Sequence, residues 1–191
     1  MTRETHNSAA LIDLALKAQK ATYRDAGQEP DPRASLIWAE YEAAVTREHD
    51  RTALAQLLLP GNRDRLTPDT LVPVLCKLAQ LYSDSIGVKL ALADGLYFAG
   101  KDDEALDVLS RLKLTAPYDI DLLHAELSFS FVADDDTRRL LCEEVLRIYP
   151  SDQVALAVLR DLDSGKRSEV FDVRKLYDRA LEEIQSSGDW H

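Results

Sequence analysis

Ala99 to Pro117 reads AGKDDEALDVLSRLKLTAP, and Val132 to Pro150, 33 residues later, reads VADDDTRRLLCEEVLRIYP. Both open on a small residue and a run of acids, continue with apolar residues at helical spacing, and close on proline. The offset of 33 carries Val108 onto Leu141, Leu109 onto Cys142, Leu112 onto Val145 and Pro117 onto Pro150. The same step backwards reaches Leu75, Cys76 and Ala79, and a step of 35 forwards from the later copy reaches Leu176, Tyr177 and Ala180. The extra two residues fall in the turn SGKRSE. Self-similarity at such a period predicts a row of helical units. It also explains both cysteines as small apolar side chains at one repeat position, with no metal or redox spacing between them.

Helical periodicity runs almost throughout. Ser8 is the expected N-cap of a first helix to about Arg24, with Leu11, Leu14, Ala18 and Ala21 on one face. Gly27 to Pro32, GQEPDP, forbids a continuing helix and reads as a linker. Residues 1–32 thus form a helix and linker, 33–66 a helical region packing on the array, and 67–191 the repeats. The 33–66 region carries Leu36, Ile37, Trp38, Tyr41, Val45, Leu54, Leu57 and Leu58, with a break expected near His49–Asp50. After PGNRDRLTPD, read as a loop with Thr67 capping and Pro68 in the first turn, helices are expected at about 68–83, 86–99, 102–115, 119–132, 136–149, 152–163 and 169–186.

These residues resemble the tetratricopeptide repeat family, whose unit is a helix hairpin with small residues at the crossing and a closing proline. The best copy has Lys89, Leu92-Ala93, Leu96, Ala105, Leu109 and Pro117, and its AGKDDEA turn is similar to the family's corner. The next has Leu122, Ala125-Glu126, Phe129, Arg138, Cys142, Val145 and Pro150. A weaker third has Ala155, Val158-Leu159, Leu162, Val173, Tyr177 and Ala180. The resemblance implies an all-α solenoid of about three hairpins over residues 67–186, with an N-terminal helical region. Glu126 and Arg138 stand where the family keeps small residues. They either pair across the crossing or reach water, and exposure is the favoured expectation because buried ion pairs are rarely net stabilising.

By the same resemblance the first helices line a concave surface. Its lining would be Leu90, Asp94, Tyr97 and Phe98, then Leu123, His124, Leu127 and Phe131, then Leu156 and Arg160. An apolar groove of that kind suits an amphipathic helix or an extended segment. Asp94 has the wrong sign for the family's carboxylate-binding clamp. The expected function is non-catalytic protein binding, as an adaptor, assembly factor or small chaperone. Bacterial secretion chaperones are similar in architecture and form one alternative; a helical enzyme with an unrecognised site is the other. An equal expectation is that the groove is filled by the protein itself, by helix 8–24 in cis or exchanged between two copies of a homodimer.

Composition agrees with this class. The 191 residues are 46% hydrophobic and 30% charged, with seven glycines and seven prolines, which favours helices. Net charge is −11, of which residues 86–191 carry −9, a field that repels nucleic acid and anionic lipid. Asp13 and Lys17 interrupt the first apolar run, so no secretory signal is expected. No segment approaches the roughly 20 apolar residues of a membrane span, and a cytoplasmic location is the expectation. Asp121 and His124 have a spacing that can share a metal, but no second copy of the element exists. ADDDTRR lacks the glycine and closing glutamate of a calcium loop and reads as a helix cap. No phosphate loop or nucleophile motif appears. No cofactor, metal or catalytic residue is expected.

Overall fold

The computed structural model describes residues 4–22, 31–129, 134–165 and 172–188, with side chains from Ser8 onward. Among the described residues the fold is all-α, without a strand. In chain order the helices are α1 (Glu4–Thr22), α2 (Ala34–Arg47), α3 (Arg51–Gln56), α4 (Pro60–Arg63), α5 (Pro68–Leu81) and α6 (Ile86–Phe98). They continue with α7 (Asp102–Thr115), α8 (Ile120–Phe129), α9 (Asp135–Ile148), α10 (Gln153–Ser164) and α11 (Arg174–Ser186).

Local chemistry sets most boundaries. Asp50, Ser85, Asp134 and Asp152 sit at N-caps, where their side chains accept from backbone N–H groups of the first turn. Asp119 accepts likewise from the N–H groups of Asp121 and Leu122, both at 3.1 Å. Gly100 and Gly165 follow α6 and α10 with φ of 72° and 68°, a conformation that glycine ends helices with at little steric cost. The expected break near His49–Asp50 is present: Glu48 accepts from both N–H groups, at 2.9 and 2.8 Å. Several boundaries differ from expectation; α11 begins at Arg174 rather than at about 169, with Asp172 and Val173 outside it. Ser8 lies inside α1, because no proline or glycine in Glu4–Asn7 stops the helix upstream. Pro60 opens a short helix where a loop was expected, its fixed φ suiting the first helical position. The expected stretches 130–132 and 169–171, Arg24 and most of the linker lie outside the described residues.

Packing runs along the chain from α5 to α10. Each helix packs on the next, and α6, α8 and α10 also pack in that order on one another. A first apolar cluster joins Leu11, Ala15 and Ala18 of α1, Tyr41 and Val45 of α2, and Leu54 of α3 to α5 and α6. A second joins Leu90 and Ala93 to Leu109, Leu112, Leu122 and Phe129. The third joins Leu123 and Leu127 to Cys142, Val145, Ala155 and Val158. Cys142 is buried and Cys76 half-buried, both free, and burial pushes both thiols above their ordinary range. Cys142 is part of the third cluster, and Cys76 packs at the edge of the first.

α6 is the hub. Nine of its 13 residues are buried, because α5, α7, α8 and α11 all pack against it. A helix apolar on every side is one surrounded on every side. The last of those neighbours departs from expectation. The third hairpin was to be α10 with α11, yet α11 packs on α6 instead. α1 packs on α2, α3 and α5, so the helix lying on α6 comes from the other end of the chain.

The Glu126–Arg138 expectation is also corrected. Arg138 does not reach water; it is 1% exposed, with its guanidinium 3.8 Å from Asp135 Oδ1 one turn earlier in α9. Its long stem fills space that a small residue would leave. Glu126 turns instead to α7, accepting from the Lys113 ammonium at 2.9 Å.

Candidate functional site

The candidate site is the face of α6 and the N-terminus of α8, with α11 seated on them. α11 is strongly two-faced. Leu176, Tyr177, Ala180, Leu181 and Ile184 are buried, while Asp178, Glu182 and Gln185 are exposed. Leu176 joins the second apolar cluster and the other four join the first, so this one helix closes two cores at once.

Its approach is unusually close. A Cβ on Gly87 of α6 would stand 2.8 Å from the Ala180 nitrogen and 2.9 Å from the Arg179 carbonyl carbon. Glycine on one helix and alanine on the other let the two backbones meet. Charges then fix the register. The Arg179 guanidinium donates to Asp119 Oδ1 and Oδ2, each at 2.8 Å, and to Asp121 Oδ2 at 2.6 Å. Its Nε donates to Glu183 Oε1 at 2.8 Å. Glu183 Oε2 accepts from Ser85 Oγ at 2.6 Å and from the Gly87 N–H at 3.0 Å, where the positive end of α6 suits an anion. Burial raises the Glu183 and Asp119 carboxyls, but these hydrogen bonds outweigh it and hold both below the ordinary range.

Beneath α11 lies a buried polar group. Asp94 of α6 is 3% exposed, with Tyr177 and Arg63 as its polar neighbours. Burial pushes its carboxyl up to about 7, against the opposing pull of Tyr177 and of Arg63. Burial, and then Asp94, push the Tyr177 hydroxyl above the ordinary phenol range. The Arg63 guanidinium carbon sits 5.0 Å from the Tyr177 ring centroid, a cation–π distance. Three ionisable groups converge here, and all three are packed between helices rather than presented to a ligand.

The residues expected to line the groove therefore divide. Leu90, Leu123 and Leu127 are core, in the second and third clusters. Asp94 is buried, with Tyr177 and Arg63 among its neighbours. His124 is buried, with Nε2 2.9 Å from Asp152 Oδ2, and Asp121 is engaged by Arg179, so the two are held by different partners. Among the described residues no three His, Cys, Asp or Glu are grouped to hold a metal ion. Tyr97 is half-buried and stacks on Phe129 with centroids 4.5 Å apart. Phe98 is 58% exposed, Leu156 is half-buried and Arg160 exposed. Phe131 lies outside the described residues. Sequence reasoning missed Ser85, Gly87, Asp119, Arg179 and Glu183. The available signals were a glycine inside an apolar helix and an arginine and a glutamate four apart in α11.

Comparison with protein-family models, with curated proteins and with solved structures returned no match to the chain. Among the described residues, no helix is long and apolar enough to cross a membrane.

Proposed function

We propose that this chain is a non-catalytic protein-binding module, built of tetratricopeptide-like helix hairpins, whose inner face accepts an amphipathic helix. The observation that carries the reading is the seat of α11 itself: an apolar stripe, a glycine for backbone approach and matched charges at Arg179 and Glu183, one helical turn apart. A surface that holds one amphipathic helix in this way has the features of helix-in-groove recognition. The successive packing of α5 to α10 supports the hairpin reading. Phe98, Leu156 and Arg160 supply accessible positions on the expected inner face.

The test is site-specific photo-cross-linking in the native cell, with the cross-linking residue placed at Phe98, at Arg160 or, as control, at the exposed Leu36 of α2. The expected result is one protein adduct shared by Phe98 and Arg160 and absent from Leu36. Absence of any adduct from the first two positions, or the same adducts from all three, would count against a binding face there.

A further inference from the structure

A cavity of about 580 Å³ opens between α2, the first half of α5 and the α6–α7 corner, away from α11. Its size is that of a small-molecule site. Trp38, Val72, Pro73 and Ala99 give it apolar walls. The Trp38 ring is held in place from two sides. It meets Tyr41 edge to face with centroids 5.9 Å apart, and its Nε1–H donates to Glu42 Oε1 at 3.0 Å. A wall fixed in this way costs little ordering when a ligand arrives. Pro73 stands in the interior of α5, where helix propensity disfavours proline. Departures from local propensity gather at functional sites.

Charge selects the ligand. Glu42 and Asp69 bring two carboxylates to the cavity, and Lys101 brings one ammonium that Glu104 already answers at 3.5 Å. The Glu42 side chain accepts from a neutral indole and pairs with no cation among the described residues. The chain as a whole carries −11, so the surrounding field has the same sign. A cation held against an indole face gains a further attraction. We propose that this cavity binds a small organic cation, an amine with a flat apolar body. The body lies against Trp38 and Pro73, and the ammonium points to Glu42 and Asp69. An anion would meet two carboxylates there, and a bare metal ion would leave the apolar walls uncovered. The inference goes beyond protein binding and leaves the packing of α11 as it is.

The probes are tryptamine, its neutral analogue tryptophol and its anionic analogue indoleacetate, each titrated into the full, nitrogen-labelled chain. Trp190→Phe leaves Trp38 as the single tryptophan, so its indole N–H gives one NMR signal. Tryptamine is expected to move that signal saturably below about 10 mM, and to bind at least about fivefold more tightly than tryptophol. Indoleacetate is expected to bind more weakly than either. Glu42→Gln keeps an acceptor for the Trp38 N–H and removes the charge. Combined with Asp69→Asn, it should erase the preference for the amine and leave tryptophol unchanged. Ala39→Trp fills the cavity from an exposed wall position and should abolish binding of both. Equal affinity for the three probes, a preference for indoleacetate, or no saturation overturns the inference. So does tryptamine binding that survives in an Ala39→Trp chain with unchanged circular dichroism. Binding seen only after Arg24→Ser puts the chain's own side chain in the cavity and also overturns it. Phe98 and Arg160 do not line this cavity, so a flat titration leaves the cross-linking result standing, and lost cross-links leave the titration standing.

Discussion

Gly87→Ala tests the seat of α11 most directly. The added Cβ would stand 2.8 Å from Ala180 N, 2.9 Å from the Arg179 carbonyl carbon and 2.9 Å from Arg179 Cγ, where ordinary contact begins at 3.4 Å. Two of the three atoms are backbone, so no rotamer change relieves them. α11 must retreat by roughly 0.6 Å or more, and its five buried side chains retreat with it. Overpacking of this kind costs about 1–3 kcal/mol. Replacing a helical glycine by alanine returns somewhat less than about 1 kcal/mol, because Gly87 is only the second residue of α6. The net expectation is a loss of about 1–2 kcal/mol, or roughly 2–8 °C in Tm for a chain of this size. Urea denaturation, with hydrogen exchange read on α11, is the assay. Gly61→Ala is the control, because nothing lies within 4 Å of a Cβ there, and it should be neutral or slightly stabilising. If Gly87→Ala behaves like Gly61→Ala and leaves α11 equally protected, the close approach of α6 and α11 is wrong.

Other consequences follow from the same contacts. Asp94, with its carboxyl near 7 when folded and 3.8 as the reference value, binds more protons in the folded state. Its contribution is fully present below about pH 4 and is lost as pH rises through 7, by up to ~4 kcal/mol. Asp119 and Glu183 are shifted the other way, so they add stability above their unfolded values that is lost as pH falls through the folded ones. Urea midpoints should therefore decline between pH 5.5 and 8 in the wild type and stay level in Asp94→Asn; an unchanged slope in the variant assigns the titration elsewhere. Arg179→Ala leaves three carboxylates without their shared cation, and its partial exposure limits the loss to about 2 kcal/mol. A double-mutant cycle with Asp119→Asn should recover part of it, and strict additivity would show the two do not interact. Arg138→Ala removes a side chain that is 1% exposed, so a loss above about 2 kcal/mol is expected by denaturation; below about 1 kcal/mol, the Arg138 stem does not contribute to the buried packing.

Most helices and several turns were legible in the chain alone, though α4 and the start of α1 were not. Periodicity placed Leu109, Leu112, Cys142 and Val145 inward, and all four are buried. Asp134 capped α9 as its position in ADDDT predicted, and GKDD gave the α6–α7 corner to within a residue. These are local properties: a cap needs only its own first turn, and an apolar stripe needs only 3.6 residues per turn. The inner face was another matter. Leu90, Leu123 and Leu127 look the same in sequence whether they line a groove or fill a core, because an apolar stripe records that something covers it and not what does.

Tertiary structure alone decided the covering element. The repeat offset makes Tyr177 and Ala180 equivalent to Cys142 and Val145, which would stack α11 on α10. α11 lies on α6 instead, through an arginine matched to carboxylates about 60 residues away and a glutamate matched to an N-terminus about 100 residues away in the chain. Nothing within the span of a helix encodes such pairings, since each depends on two distant segments reaching one place. Local rules thus made the helices. Long-range complementarity at Gly87, Asp119, Arg179 and Glu183 chose their arrangement.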